Sequence, residues 1–426
     1  MTYNEAHEQL LCLEKFGINL GLKRIKALLA KLNNPQNDVK FIHIAGTNGK
    51  GSTSTMLANV LSRSGYKTGL FTSPEVLCFR EYLQINGEMI SEEEFARCAK
   101  EVYQCVDFKN EEECPTFFEV KTAIAFVLFK FKKCDIVCLE VGLGGEYDST
   151  NIIPPPLMQI ITSISLDHTD ILGSNIESIA RTKAGIIKGG VTVSYALQQE
   201  SVFEILKERC LEVGSTLLIP DLKELSASNL NWQADTFCYG GILYKKSLYG
   251  TFQIYNALTV ITAAEALQTL GYHITSNDIL YALENSFIPA RMEILSKAPL
   301  VILDGSHNPN AIKALEKSLS QMKNTNITII MGVLKDKDYN LMLKNISRFA
   351  TRFIAVTPNN PRALNSKDLA HMAKSFCLDV SYFTDNRIAI KNVISNLCHT
   401  DTLVVCGSLY LASEVRTILI EEIDNI

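Results

Sequence analysis

The sequence has no excess of positive charge. Its 41 Lys and Arg face 46 Asp and Glu, for a formal net charge of −5. A chain that coats nucleic acid or an anionic membrane needs a strongly basic face, so neither is an expected partner. A local basic site for a charged small molecule stays open. No apolar run approaches the roughly 20 residues of a membrane span. The longest, Thr122 to Phe129, stops at Lys130. The opening MTYNEAHEQLLCLEKFG lacks a basic segment followed by an apolar core, so it does not read as a signal peptide, and the expected location is cytoplasmic. There the 12 cysteines are expected as reduced thiols. The nearest pair, Cys134 and Cys138, is followed by no second pair or His at zinc-site spacing. Both read as small core residues. Internal repeats and low-complexity segments are also missing.

What is present fits a globular chain with a core: 47% hydrophobic and 20% charged over 426 residues, a length that suggests two domains. Apolar spacing predicts a helix over 22–33, ended by Asn34-Pro35. Strand and helix signals then alternate: strands at Phe41–Ala45, Thr68–Thr72, Asp135–Val141 and Leu157–Ile164, helices at Ser52–Ser64, Phe117–Phe131 and Ser178–Lys188. Alternation of this kind predicts an α/β fold with a mostly parallel sheet covered on both faces. Residues 220–249 are short, alternating and turn-rich, like an antiparallel appendage. A helix is expected at Asn256–Leu270, and Pro289-Ala290-Arg291 reads as a linker. Beyond it come strands at Leu300–Leu303, Ile327–Met331, Phe353–Thr357 and Thr402–Cys406, with a helix from Pro309. The expected division is 1–290 for a phosphate-loop domain and 291–426 for a smaller Rossmann-like α/β domain.

Gly46-Thr-Asn-Gly-Lys-Gly-Ser-Thr53 lies between a strand and a helix. Glycines let backbone N–H groups converge on a phosphate, and the helix N-terminus adds partial positive charge. Lys50 can reach outer phosphates; Ser52 or Thr53 can cap the helix or touch magnesium. The loop is shorter than the usual phosphate loop, and Gly51 intervenes between Lys50 and Ser52. A plain glycine-rich turn is the alternative.

Ligands of open α/β sheets bind at the carboxyl ends of the strands. Ser73, Glu140 and Asp167-His168 all follow strands there. A hydroxyl, a carboxylate and an imidazole beside a triphosphate suit a magnesium shell completed by water and phosphate oxygens. The bland readings are a turn residue at Ser73, a lysine-paired Glu140 and a helix-capping His168. Lys183 reads as a surface lysine, a phosphate contact or a modified residue.

The strings GLKRIKALLAKL, IHIAGTNGKGST, FTSP, PTFFEVKTAIAF, DIVCLEVGLGGEYDSTN, SLDHTDILG, IARTKAGIIK, QIYNAL, ARMEIL, LDGSHNP, GVLKDKD, NNPRAL and CGSLYL occur in this order along nearly the whole chain. The set resembles the folylpolyglutamate synthase/dihydrofolate synthase family, relatives of the Mur ligases. The resemblance implies a monomeric, ATP-dependent ligase. It would join L-glutamate to a folate or pteroate through an acyl phosphate, with ATP between two domains and two Mg²⁺ ions. Gly46, Thr47, Asn48, Gly49, Lys50, Gly51, Ser52, Asn256, Arg291 and Asp304 match its ATP contacts. Ser73, Glu140 and His168 match its metal ligands, and Lys183 matches a lysine carbamylated in the family, which would add an oxygen ligand. Lys50, His168, Lys183 and His307 carry the implied chemistry; Glu119, Thr122 and Asp148 fall at the implied folate site. Domain closure would exclude water from the acyl phosphate.

Four stretches depart from the pattern. The family often has His where Glu75 stands, Asn-Glu-Arg where Arg80-Glu81-Tyr82 stands, Gly-Gly-Arg-Leu-Asp where Gly144-Gly145-Glu146-Tyr147-Asp148 stands, and His-Gln where Phe252-Gln253 stands. Loss of two positive charges, at Tyr82 and Glu146, is expected to weaken recognition of an anionic tail. Rival readings are a Mur-type ligase with another acceptor, disfavoured because the loop begins at Gly46 and leaves no room for a uridine-nucleotide domain, and a non-catalytic ATP-binding module.

Overall fold

The computed structural model describes residues 1–111, 113–226, 232–233, 235–322 and 326–425. The chain forms two compact units. The first comprises Met1–Ser165, Thr169–Lys223 and Tyr255–Ser286. Its strands are β1 (Lys40–Ala45), β2 (Thr68–Phe71), β3 (Leu83–Ile85), β4 (Glu88–Met89), β5 (Ile136–Glu140), β6 (Met158–Ile161), β7 (Gly190–Ser194) and β8 (Ser215–Leu218). They form one sheet in the order β4-β3-β2-β5-β1-β6-β7-β8. From β2 to β8 every pair is parallel, and β3 and β4 add an antiparallel edge. Strands covered on both faces are apolar throughout rather than alternating, and β5, Ile-Val-Cys-Leu-Glu, is buried at all five positions.

The helix Phe117–Phe131 covers part of this sheet. Thr116 starts it with a capping box: the Thr116 hydroxyl accepts from Glu119 N, and the Glu119 carboxylate accepts from Thr116 N. Cys134 and Cys138, before and within β5 respectively, are buried free thiols, and burial pushes Cys134 up to about 12. β1 lies between β5 and β6, with β2 beyond β5. The segments leaving the carboxyl ends of β1, β2, β5 and β6 therefore share one edge.

The second unit comprises Leu166–His168, Glu224–Ile254 and Phe287–Ile426. Strands β9 (Leu225–Ser226), β10 (Thr236–Tyr239) and β11 (Ile242–Lys245) form the antiparallel piece expected over 220–249. Gly240-Gly241, with φ of 57° and 76°, make the two-residue turn that joins β10 to β11. Strands β12 (Glu293–Lys297), β13 (Leu300–Leu303), β14 (Ile327–Met331), β15 (Arg352–Ala355), β16 (Val380–Tyr382) and β17 (Thr402–Cys406) form a sheet ordered β12-β13-β17-β14-β15-β16, parallel except for β12. Its buried face joins Ile302, Ile329, Met331, Phe353 and Val404 with Ile312, Leu315 and Leu343 from helices.

One expectation is corrected here. Pro289-Ala290-Arg291 is no free linker: Ala290 and Met292 are fully buried and hold φ of 53° and 52°. The turn is fastened by Ala290 N donating to Glu293 Oε2 (2.9 Å) and Gly305 N donating to the Ala290 carbonyl (2.7 Å). Left-handed backbone at non-glycine residues persists only where such contacts over-determine it.

Candidate active site

The loop after β1 is built as a phosphate cradle. The helix Lys50–Arg63 begins at Lys50, and its cap, Gly49, sits at φ 88° and brings no side chain to the helix end. A Cβ at Gly49 would stand 2.6 Å from Asn256 Oδ1, so close approach as well as backbone hand requires glycine. The rest of the loop is clamped onto the segment after β6. Thr47 N and Asn48 N donate to the Ser163 carbonyl at 2.7 and 3.2 Å. Thr47 Oγ1 donates to Ser165 O (3.0 Å) and accepts from Ser165 N (3.1 Å).

Three charged groups meet at this loop. Lys183, buried on the helix Ile176–Ala184, donates through Nζ to the Gly46 carbonyl at 2.8 Å. It is therefore no surface lysine. Lys50 Nζ donates to the Thr47 carbonyl at 3.3 Å and lies 3.9 Å from Glu140 Oε1. Glu140 Oε2 accepts from Ser73 N at 3.1 Å. The ends of β1, β5 and β2 thus converge as an ammonium, a carboxylate and a serine. An uncapped helix start with a lysine and a carboxylate at its mouth fits a nucleotide phosphate, and the oxygens of Glu140 and Ser73 suit a hard cation that takes further ligands from phosphate and water. Among the described residues no three His, Cys, Asp or Glu side chains cluster as a ready-made metal site.

Asp148 ends a buried polar chain. Its Oδ2 accepts from Leu143 N (2.8 Å), and its Oδ1 accepts from Thr150 N (2.9 Å) and Thr150 Oγ1 (2.5 Å). Thr150 has thereby used its hydroxyl proton, so His43 Nε2–H donates to Thr150 Oγ1 at 2.9 Å. Burial raises the Asp148 carboxyl, and the hydrogen bonds from Thr150 and Leu143 oppose this. Of the other two residues expected at the acceptor site, Glu119 Oε2 accepts from Arg24 Nε (3.0 Å) as well as from its capping partner, and Thr122 Oγ1 turns back to the Phe118 carbonyl (2.7 Å). Both are engaged within their own helix and its neighbour.

His168 and His307 lie in the second unit, around Asp167. That carboxylate accepts from Lys337 Nζ at 2.6 Å and Asn308 Nδ2 at 2.9 Å, and His307 Nε2 stands 3.6 Å away. His307 Nδ1–H donates to the Gly305 carbonyl at 2.9 Å. His168 has φ 50°, and its Nε2 is 3.5 Å from Lys337 Nζ. Burial acts to raise the Asp167 carboxyl, but the His307 contact and the charges of Lys337, His307 and His168 outweigh it and hold the group well below the usual carboxylate range. Asp304 is committed within this unit: Oδ2 accepts from Met292 N (2.7 Å), and Oδ1 from Ser306 N (2.9 Å) and the Ser306 hydroxyl. Arg291 sits in the strained turn, half-buried. Lys337 carries no distinctive local signal beyond its place in the charged string Lys335-Asp-Lys-Asp338 just past the end of β14, the kind of position where functional side chains collect. His43 and Thr150 were missed because a lone His inside an apolar strand looks like a core residue.

Comparison with known proteins agrees with this architecture. Residues 44–264 match the Mur ligase middle domain, and residues 290–409 match the Mur ligase glutamate ligase domain. These define the class: an ATP-dependent, amide-forming ligase of the Mur type. A dihydrofolate synthase/folylpolyglutamate synthase of Bacillus subtilis is 34% identical over 97% of this chain and 98% of its own. Among solved structures, a Mycobacterium tuberculosis folylpolyglutamate synthase complexed with ADP and AMPPCP superposes with a TM-score of 0.87 at 27% identity, covering 98% of this chain and 99% of that one. E. coli FolC in complex with DHPP and ADP gives 0.85 at 28%, covering 97% of each. The chain belongs to the folylpolyglutamate synthase/dihydrofolate synthase family.

Proposed function

We propose that this enzyme joins L-glutamate to folates, extending tetrahydrofolate and also converting dihydropteroate to dihydrofolate. The observation that carries the reading is the meeting of Lys50, Glu140 and Ser73 at the mouth of an uncapped, glycine-started helix. The relatives' names supply the acceptor class. A carboxylate is a poor electrophile; transfer of the ATP γ-phosphoryl group makes the acceptor carboxylate an acyl phosphate, and the amine of glutamate displaces phosphate to form the amide. Phosphoryl transfer needs positioning and charge neutralisation more than covalent help. Lys50 leaves the Thr47 carbonyl for the outer phosphates, while the loop from Gly46 to Ser52 and Asn256 hold the nucleotide. Glu140 and Ser73, with His168 and a carbamylated Lys183, would hold the two Mg²⁺ ions, which neutralise phosphate charge when bound. Arg291 and Asp304 are assigned to ATP, and His307 to the reacting groups, by resemblance. Glu119 and Thr122 are assigned to the acceptor on the same ground; Asp148 has in addition the polar chain that fixes its carboxylate.

By resemblance, the phosphate-loop domain is assigned to residues 1–290 and the glutamate ligase domain to 291–426, although residues 166–168 and 224–254 pack with the second unit. No helix among the described residues is long and apolar enough to cross a membrane. By resemblance to the family, the enzyme is assigned to the cytoplasm as a monomer.

Glutamate-dependent ADP release, measured separately with dihydropteroate and tetrahydrofolate, tests the proposal. Release with both is the expected result. Release with tetrahydrofolate alone removes the dihydrofolate synthase step. ATP binding with no glutamate-dependent release on either acceptor overturns the folate reading.

A further inference from the structure

Lys121 stands inside the apolar helix Phe117–Phe131 and is 2% exposed. Burying an ammonium is costly unless a counter-charge meets it, and an apolar residue would fill this position without that cost. The counter-charge is Glu75, whose carboxylate contacts Lys121 Nζ. The ammonium also lies 4.0 Å from the centre of the Tyr82 ring and 5.5 Å from that of Phe79, within cation–π range. Burial pulls Lys121 down to about 7, with Glu140 acting the other way; the touching Glu75 carboxylate also favours the charged form.

Exposure of the pair is unequal. The Lys121 side chain is 3% exposed and that of Glu75 is 21% exposed, so the way to the cation runs past the Glu75 carboxylate. The backbone beside Glu75 is pinned on both sides: Ser73 N donates to Glu140 Oε2, and Val76 N and Leu77 N donate to Glu81 Oε2 at 2.7 and 2.6 Å. The Tyr82 hydroxyl is fully buried and has no hydrogen-bond partner.

We propose that Lys121, set against the Tyr82 and Phe79 rings, forms a carboxylate-binding subsite for the acceptor, and that Glu75 fills it as an internal ligand until the acceptor's carboxylate displaces it. The Glu75 side chain ends in the same propionate group as a glutamyl tail, so it matches that ligand in size and charge. Two departures from the family pattern, Glu75 and Tyr82, thereby have one explanation: a cation absent at position 82 is delivered from the neighbouring helix and guarded by the acid at 75. The inference rests on the acceptor reading above only in requiring a carboxylate on the acceptor.

The test compares the unaltered enzyme with Glu75→Gln, Lys121→Met and the double variant. Glutarate binding is measured by calorimetry, and tetrahydrofolate KM and kcat by ADP release. Glu75→Gln should tighten glutarate and lower the tetrahydrofolate KM by roughly three- to tenfold, the effect of removing one charge-assisted competitor, with a smaller change in kcat. Lys121→Met should weaken both by roughly tenfold, and adding Glu75→Gln to it should give no recovery. A folded Glu75→Gln enzyme that binds glutarate no better than the unaltered one overturns the subsite, and this result stands even if Lys121→Met does not fold. Absence of turnover with every folate, while glutarate binding still responds to Glu75→Gln, overturns the acceptor reading and leaves the subsite intact.

Discussion

Lowering the pH from 7 should weaken the first unit through His43. The imidazole is fully buried on β1, donates from Nε2 to Thr150, and has no partner at Nδ1. Burial, helped by the charge of Lys188, lowers its pKa from 6.5 to about 3. The sign follows from proton counting. Below pH 6.5 the unfolded chain binds a proton at His43 and the native state does not. Stability is therefore intact above pH 6.5 and falls as pH drops, until the native imidazole is itself protonated near pH 3. At about 1.4 kcal/mol per pH unit, His43 alone removes roughly 3 kcal/mol between pH 6.5 and 4. Other groups titrate in this range, so the quantity to read is a difference. His43→Gln keeps a donor for Thr150 and removes the titration. Urea unfolding of both proteins, followed by hydrogen exchange in β1 and β5 peptides, isolates the first unit from the second. The stability gap between the two proteins should shrink or reverse in favour of the glutamine variant as pH falls. Parallel pH profiles from 6.5 to 4 would refute the buried neutral imidazole, and with it the proton assignment in the chain that holds Asp148.

Two further changes bear on the phosphate loop. Lys50→Ala should cut ADP release by about 10³-fold or more while the melting temperature moves by only a few degrees, because in the folded protein Lys50 makes one loop hydrogen bond and a 3.9 Å ion pair; retention of most of the rate would remove the loop from the reaction. Gly49→Ala puts a Cβ 2.6 Å from Asn256 Oδ1 at φ 88°, so it should cost about 1–2 kcal/mol in thermal unfolding and raise the KM for ATP. An unchanged KM for ATP would mean that Gly49 serves the fold alone.

Much of this was legible without coordinates, for local reasons. The helix Phe117–Phe131 was set by its apolar run and the Thr116–Glu119 capping box, and its expected bounds coincide with the observed ones. β13, β14 and β17 follow from β-rich apolar runs that a parallel sheet buries on both faces. The glycine loop is a contiguous string, so its strand–turn–helix setting and Lys50 could be read directly. Family strings in order gave the class.

Other features depend on groups distant in sequence, which no local pattern encodes. The sheet order that sets β1 between β5 and β6 brings Glu140 to Lys50, and Lys183 to Gly46 across 137 positions. Ala290 and Met292 owe their left-handed turn to Glu293 and Gly305, so a segment that reads as a linker is buried. Lys121 looks like an interruption in an apolar helix until packing sets it against Glu75 and Tyr82. The sequence by itself determined the elements, the phosphate loop and the reaction class, because each rests on neighbouring residues. Tertiary structure decided which charges meet, because an ion pair or a buried proton depends on burial and distance, and both are properties of the folded chain.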